Sequence, residues 1–347
     1  VKTNPKPILT THSPEWHREK FLEFTLAKAA VGEPSPHMTV VQHMSKDVSQ
    51  EEQIWRAGCY LVPYSVLTGE VLWTIWPWER IVREGHNYLL PWLKEHWLGI
   101  HTRTERRCVR TPDKFAASLL SYRDWAQHTL PQILDFEQQH QFISSRAAYD
   151  RLWESANTVY ALGRYIIIRL LELFRRSGLT KANLYDIRSI GGWSPIRMLC
   201  LFYPEATDRL LKGDAVYADT IAQRLLKELQ QTVPLLNSYQ YAAILCEIRV
   251  ALENGRQYAG WTIDQELSYF QRYGSYWSLN GLELEFLGTR KDLFPLEVLG
   301  EINGWKGLRE GPMSALKNYG VVWTDLKYDY NATLATGDFS HPVKRVA

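Results

Sequence analysis

The chain has 347 residues, 45% of them apolar, enough to bury one large core or two ordinary ones. A formal net charge of +2 excludes a protein-wide field, so any nucleic-acid partner must be met by a local patch. The four cysteines, Cys59, Cys108, Cys200 and Cys246, are far apart and show no CxxC or Cys/His ligand spacing. That argues against a zinc site or a disulfide framework and for reduced thiols in a cytoplasm. No stretch approaches about eighteen consecutive apolar residues, and no signal-peptide pattern is visible, so no membrane association is expected. The aromatic content is unusual, with 14 tryptophans and 19 tyrosines. Such residues fill cores, and they also stack on bases and sugars.

Helical periodicity dominates in chain order. After a loose stretch at residues 1–12, Ser13-Pro14-Glu15 is a helix start with proline in the first turn. Glu51 to Trp76 reads as one or two helices broken near Pro63. Arg56, Tyr60 and Tyr64 stand four residues apart there and share a face if the helix continues. A kink at Pro63 would leave a carbonyl beside them. Such a face can hold a phosphate by charge and a base by stacking on Tyr60 and Tyr64, although tyrosines at this spacing also serve as core residues.

The segment "GIHTRTERRCVRTPDK" holds Arg103, Arg106, Arg107, Arg110 and Lys114 against Glu105 and Asp113, the densest positive patch in the chain. Guanidinium groups suit phosphate oxygens, and His101 and Thr102 add donors. A solvated surface face is the alternative. Thr111-Pro112-Asp113 starts a helix running to about Phe136, whose N-terminus can also face an anion. Ser145 to Arg176 is the longest helical candidate, closed by Ser177-Gly178. Gly163 inside it suggests close packing, and Arg164 in so apolar a setting needs an anionic partner, protein or ligand.

Further helices are predicted at 194–203, 214–231, 239–253 and 262–273, with one weak β-like run at Val321-Val322-Trp323. The stretch "SIGGWSP" before the first of these approximates a helix-hairpin-helix pattern. Gly191 stands where proline is usual and Ser194 where the second glycine is usual. Gly191 and Gly192 would let the backbone approach a DNA phosphate, and Ser194 would cap the next helix. An ordinary interhelical turn with a core tryptophan is the alternative. Asp214, followed by Arg224-Leu225, suits either the catalytic aspartate of a hairpin-type glycosylase or a plain N-cap. Glu247 and Asp264 are further carboxylates able to take a proton, and Asp264 also suits a cap. The whole reads as a single all-α domain over 13–335, with lobes meeting near 140–180 and loose ends at 1–12 and 336–347. No P-loop, GxGxxG or GxSxG motif is present, and nothing requires a metal or a cofactor.

Four stretches together resemble one family: the Trp-x-x-Gly-x-Tyr-x-x-Pro-Tyr-Ser run from Trp55 to Ser65, "GIHTRTERRCVR", "LGRY" and "GGWSP". They are similar to the bacteriophage amino acid:DNA transferases, also described as α-glutamyl/putrescinyl thymine pyrophosphorylases. The resemblance spans roughly Phe21 to Asn331 and implies a helix-hairpin-helix DNA glycosylase-like helical fold. It also implies double-stranded DNA carrying 5-hydroxymethyl-uracil, phosphorylated by a separate kinase, in the host cytoplasm during infection. An amino acid such as glycine, or a polyamine, would displace the (pyro)phosphate from the 5-methylene carbon. The resemblance further implies that Trp193 would stack on an extruded base. The arginines would face the leaving group, and Asp214, Glu247 or Asp264 would deprotonate the amine. Three rivals remain from sequence: a hydrolytic glycosylase, the helical domain of a hydroxymethyl-uracil DNA kinase, and a non-catalytic phage DNA-binding protein.

Overall fold

The computed structural model describes residues 13–30, 36–140, 142–184, 193–254 and 261–284. Among these the fold is all-α, with no strand, as the periodicity predicts. In chain order the helices are α1 (Pro14–Ala30), α2 (Pro36–Met44), α3 (Gln50–Leu61), α4 (Val66–Ile75), α5 (Trp78–His96), α6 (Pro112–His128) and α7 (Leu130–Gln139). They continue with α8 (Ser145–Ala156), α9 (Arg164–Arg176), α10 (Trp193–Phe202), α11 (Thr207–Leu211), α12 (Ala215–Gln230), α13 (Ser238–Asn254) and α14 (Trp261–Leu279). No helix of the described residues is long and apolar enough to cross a membrane.

Several expected helices are divided, each for a local reason. Pro63 ends α3 rather than kinking it, because it has no N–H to continue the ladder. The helix expected from 111 to 136 breaks at Thr129, two residues before Pro131. The long helix expected over 145–176 is interrupted at 157–163. There the Asn157 amide donates to the Trp153 carbonyl at 2.8 Å and Thr158 Oγ1 to the Ser155 carbonyl at 2.7 Å, side-chain bonds that compete with helix continuation. Gly163 therefore stands at the N-cap of α9, and a Cβ there would meet nothing within 4 Å. Close helix packing is not its role. The sequence analysis assigned no helix to α5, which carries Pro91 internally. The residues 321–323 and most of the turn before α10 lie outside the described residues.

The chain forms two compact units: Val1–Ser35 with Tyr185–Trp261 and Leu299–Ala347, and Pro36–Leu184 with Thr262–Val298. In the first, α10 is central, packed on α1, α11, α12 and α13. Phe21 of α1 stacks on Phe202 of α10 at 5.1 Å, and the buried Tyr241 donates to the Ala222 carbonyl at 3.0 Å.

In the second unit, α3 is the hub, packed on α4, α6 and α9. Its packing on α6 depends on Gly58, where a Cβ would lie 2.1 Å from Cε1 of Tyr122. The Tyr122 hydroxyl donates to the Ile54 carbonyl at 2.7 Å and locks that crossing. Returning late in sequence, α14 docks on the turn after α5. Trp277 Nε1 donates to the Gly99 carbonyl at 3.0 Å, and its ring stacks on Trp92 at 5.9 Å.

Candidate active site

The turn between α3 and α4 sets the geometry. Tyr64 adopts φ 56°, the left-handed region that a bulky aromatic residue enters at a cost of about 1–3 kcal/mol. Its surroundings impose that conformation. The Ser65 N–H donates to the Tyr60 carbonyl at 3.1 Å, and the Arg103 N–H donates to the Pro63 carbonyl at 3.1 Å. The Tyr64 ring sits among Tyr165 at 5.5 Å, Tyr60 at 5.6 Å and His37 at 5.7 Å. Its hydroxyl shares a hydrogen bond with the Tyr165 hydroxyl at 2.7 Å and lies 3.4 Å from His37 Nε2. The Arg103 guanidinium lies 5.0 Å from the Tyr64 ring centroid.

Glu266 of α14 enters the same region. It is fully buried, and its Oε2 accepts from Ser65 Oγ at 3.1 Å and from the Leu67 N–H at 3.4 Å. It thereby sits at the N-terminus of α4, where Ser65 also caps by accepting from the Thr68 N–H at 3.3 Å. Its other oxygen, Oε1, has no hydrogen-bond partner among the described residues, and neither does the hydroxyl of the fully buried Tyr60. Burial pushes the Glu266 carboxyl up to about 7, against the opposing pull of Arg103 and of the bonds at the α4 terminus. Burial likewise raises the Tyr60 and Tyr64 phenols well above their ordinary value, so both stay neutral.

Arg103 is buried as well. Its Nη2 donates to Gln265 Oε1 at 3.0 Å, and its Nε lies 3.8 Å from Glu105 Oε2. Burial alone would lower its proton affinity, but Glu105, Tyr64 and Glu266 outweigh burial and raise it, so the guanidinium stays charged. His101 stacks on Tyr269 at 3.5 Å. Burial, with the charges of Arg103, Arg272 and Arg110, lowers its imidazole to about 4, so it is neutral at ordinary pH.

The cluster therefore joins Tyr60, Tyr64 and Arg103 from the sequence analysis. Arg56 lies elsewhere on α3, paired with Glu52 at 3.2 Å and set 5.5 Å from the Trp73 ring. Arg106 donates through Nε to the Val62 carbonyl at 2.6 Å and through Nη1 to the Ala161 carbonyl at 2.9 Å, two acceptors that the Pro63 and 157–163 breaks leave without helix partners. Arg107, Arg110 and Lys114 are exposed at the start of α6, whose N-terminus is capped by Thr111. Arg164 is half-buried at the first position of α9.

Asp214 lies in the first unit as the N-cap of α12. Its Oδ1 accepts from the Tyr217 N–H at 3.0 Å and its Oδ2 pairs with Arg209, and these lower its carboxyl below the ordinary value. Glu247, also of the first unit, is half-buried on α13. Asp264 lies in the first turn of α14, and its side chain is outside the described residues. Gly191 and Gly192 are outside them too, as are the side chains of Trp193 and Ser194 on α10.

Glu266 and His37 were missed by the sequence analysis, and Tyr165, noticed there only within LGRY, was given no role. For Glu266 a signal existed: Glu266, Tyr269, Tyr273 and Trp277 recur at helical spacing, which places one carboxylate on an aromatic stripe. No group of three His, Cys, Asp or Glu side chains among the described residues is placed to hold a metal ion.

No curated protein and no solved structure matches the chain. The family model for amino acid:DNA transferase matches residues 43–236, which include Tyr60, Tyr64, Arg103 and Tyr165 and make up more than half of the sequence. With most of the clustered aromatic and basic side chains inside that match, the chain belongs to the amino acid:DNA transferase family, transferases that act on DNA.

Proposed function

We propose that the protein hypermodifies thymine in phage DNA. It joins an amino acid such as glycine, or a polyamine, to the 5-methylene carbon of phosphorylated or pyrophosphorylated 5-hydroxymethyl-uracil, and it displaces the (pyro)phosphate. A separate kinase supplies the phosphorylated base, in the cytoplasm of the infected host. The observation that carries this reading is the juxtaposition of the Arg103 guanidinium with the Tyr64 ring in a buried tyrosine cluster. A desolvated, permanently charged guanidinium is suited to the charge that develops on a departing phosphate. Tyrosine faces are suited to a base turned out of the duplex. The cluster is closed in this structure, so base entry requires it to part, with the half-buried Tyr165 at its edge.

Arg107, Arg110 and Lys114 offer exposed positive charge beside a capped helix N-terminus, the chemistry of phosphate-backbone binding. Gly191, Gly192, Ser194 and Trp193 keep their proposed role next to the extruded nucleotide, and Arg164 remains a candidate phosphate ligand. Among the carboxylates first considered, Asp214 already has both oxygens engaged, with the Tyr217 N–H and with Arg209.

The test is nucleoside mass spectrometry. Hydroxymethyl-uracil DNA is treated with a matching kinase and ATP, then with this protein and a mixture of amino acids and polyamines. A nucleoside heavier by one donor minus water is the expected product. Free base or abasic sites would replace this reading with a hydrolytic glycosylase. Tight DNA binding with no chemistry, after a verified kinase step, would replace it with a non-catalytic DNA-binding protein.

A further inference from the structure

An amine donor arrives in water as an ammonium and must shed a proton before its lone pair can attack carbon. We propose that Glu266 is the catalytic base of the transfer: its Oε1 takes that proton, with the Tyr60 hydroxyl as the second partner of the donor nitrogen. The assignment rests on the transfer reaction proposed above. Glu266 lies outside the residues 43–236 that the family model matches, so the family match does not supply it.

Geometry carries the assignment. Ser65 and the Leu67 N–H hold Oε2 and so fix the carboxyl in one orientation. Oε1 and the Tyr60 hydroxyl, both on fully buried side chains, have no partner among the described residues. A buried polar atom left unmatched costs about 1–3 kcal/mol, so two in one neighbourhood mark a place for a ligand that matches them. Ser65 brings the two residues together, its N–H donating to the Tyr60 carbonyl at 3.1 Å and its Oγ to Glu266 Oε2 at 3.1 Å. The fitting ligand is small and cationic. An ammonium donates to both oxygens and is attracted to the faces of Tyr60 and Tyr64. An anion would be repelled at Oε1, and an apolar group would leave it unmatched; Arg103 remains for anionic parts of the reactants. The carboxyl also exchanges its proton near neutrality, as a base working at ordinary pH must.

The step balances. One N–H proton passes from the ammonium to Oε1, which leaves a neutral amine and a carboxylic acid. The nitrogen lone pair forms the C–N bond at the methylene carbon while the C–O bond breaks. That bonding pair leaves on the (pyro)phosphate. The resulting secondary ammonium and Glu266 then release their protons to solvent.

The experiment uses the full chain, phosphorylated hydroxymethyl-uracil DNA and glycine. If wild-type protein makes no amine-bearing nucleoside from glycine or from a mixture of amino acids and polyamines, the transfer reading and this assignment both fall. Where another donor is the one used, it takes the place of glycine in the measurements that follow. Given wild-type product, Glu266→Gln, which keeps an acceptor for Ser65 and Leu67, is expected to lower kcat by about 10²–10⁴-fold with DNA affinity unchanged. Tyr60→Phe is expected to raise KM for glycine more than it lowers kcat. Wild-type turnover by E266Q overturns the Glu266 assignment alone. Should E266Q not fold, the wild-type pH profile decides. Glu266 faces the Ser65 hydroxyl and N–H groups of α4, Tyr60 of α3 and the Arg103 guanidinium, and Arg103 and Tyr60 keep their protonation through neutrality. A kcat/KM for glycine that levels off above about pH 7 supports Glu266. A tenfold rise per pH unit that continues to the pKa of the glycine amine overturns it, because the free amine would then need no base.

Discussion

Ser65 Oγ donates to Glu266 Oε2 at 3.1 Å across 201 residues of sequence. This bond ties the N-terminus of α4 to a helix that returns only after the chain has passed through the Tyr185–Trp261 part of the first unit. It holds a carboxylate where α4 presents unpaired N–H groups, while burial works against the charge. Burial prevails, and that has a consequence for stability.

The folded Glu266 binds its proton up to about pH 7, against 4.5 for its ordinary value. Below 4.5 both folded and unfolded chains hold the proton, and the difference is nil. As pH rises through the window between these values, only the unfolded chain releases it, so stability declines until about pH 7 and is flat beyond. Measured as wild type minus E266Q, unfolding free energy should fall by on the order of 3 kcal/mol between about pH 4.5 and pH 7, at about 1.4 kcal/mol per pKa unit. A pH-independent difference in denaturant titrations would contradict the raised carboxyl.

Arg103 and Arg106 should separate cleanly. Arg106→Met leaves the buried Val62 carbonyl without a donor and the half-buried Ala161 carbonyl with only the weak donor Cys108 Sγ at 3.8 Å, and the variant is expected to cost about 1–3 kcal/mol of stability. Arg103→Met removes the charge beside Tyr64, and the expected outcome is loss of turnover of at least about 10²-fold. Paired denaturation and nucleoside assays check both, and a folded, fully active R103M would remove Arg103 from the chemistry.

Exposed charge at the start of α6 is testable through salt. Neutralising Arg107, Arg110 and Lys114 together should weaken DNA binding on every sequence. The slope of log affinity against log salt should flatten by about 0.9 for each phosphate that the protein no longer neutralises. Fluorescence anisotropy across a salt series reads this directly, and an unchanged slope would move the DNA-binding face elsewhere.

Two glycines should behave oppositely. At Gly58 a Cβ falls 2.1 Å from the Tyr122 ring, so Gly58→Ala should cost roughly 1–3 kcal/mol as α3 and α6 are pushed apart. At Gly163 a Cβ meets nothing and φ is −78°, so Gly163→Ala should change stability by no more than about 0.5 kcal/mol. Thermal unfolding of the two variants compares them.

The contrast between those glycines shows why some features were legible and others were not. The local pattern of α3, with Ser49 at its cap and Glu51 and Glu52 in its first turn, is written in neighbouring residues, and so is the stop at Pro63. Whether Tyr64 continues the face of Arg56 and Tyr60 is not. The spacing put all three together, yet after the stop only the left-handed turn at Tyr64 and the packing of Tyr165 and His37 bring its ring back beside Tyr60. The arginine block was legible as charge. Its division into a buried Arg103, an Arg106 bonded to carbonyls and an exposed Arg107 depends on which side of a short irregular turn meets the core.

By itself, then, the sequence determined the all-α class, many helix starts and stops, the positive patch and the family, because caps, prolines and apolar periodicity act between residues close in the chain. It did not determine α5 or the breaks at Thr129 and 157–163. Only the tertiary structure decided that Glu266 is the buried carboxylate of the cluster. A proton affinity is set by burial and by charges such as Arg103, and groups more than a hundred residues apart in sequence acquire those only when the helices pack.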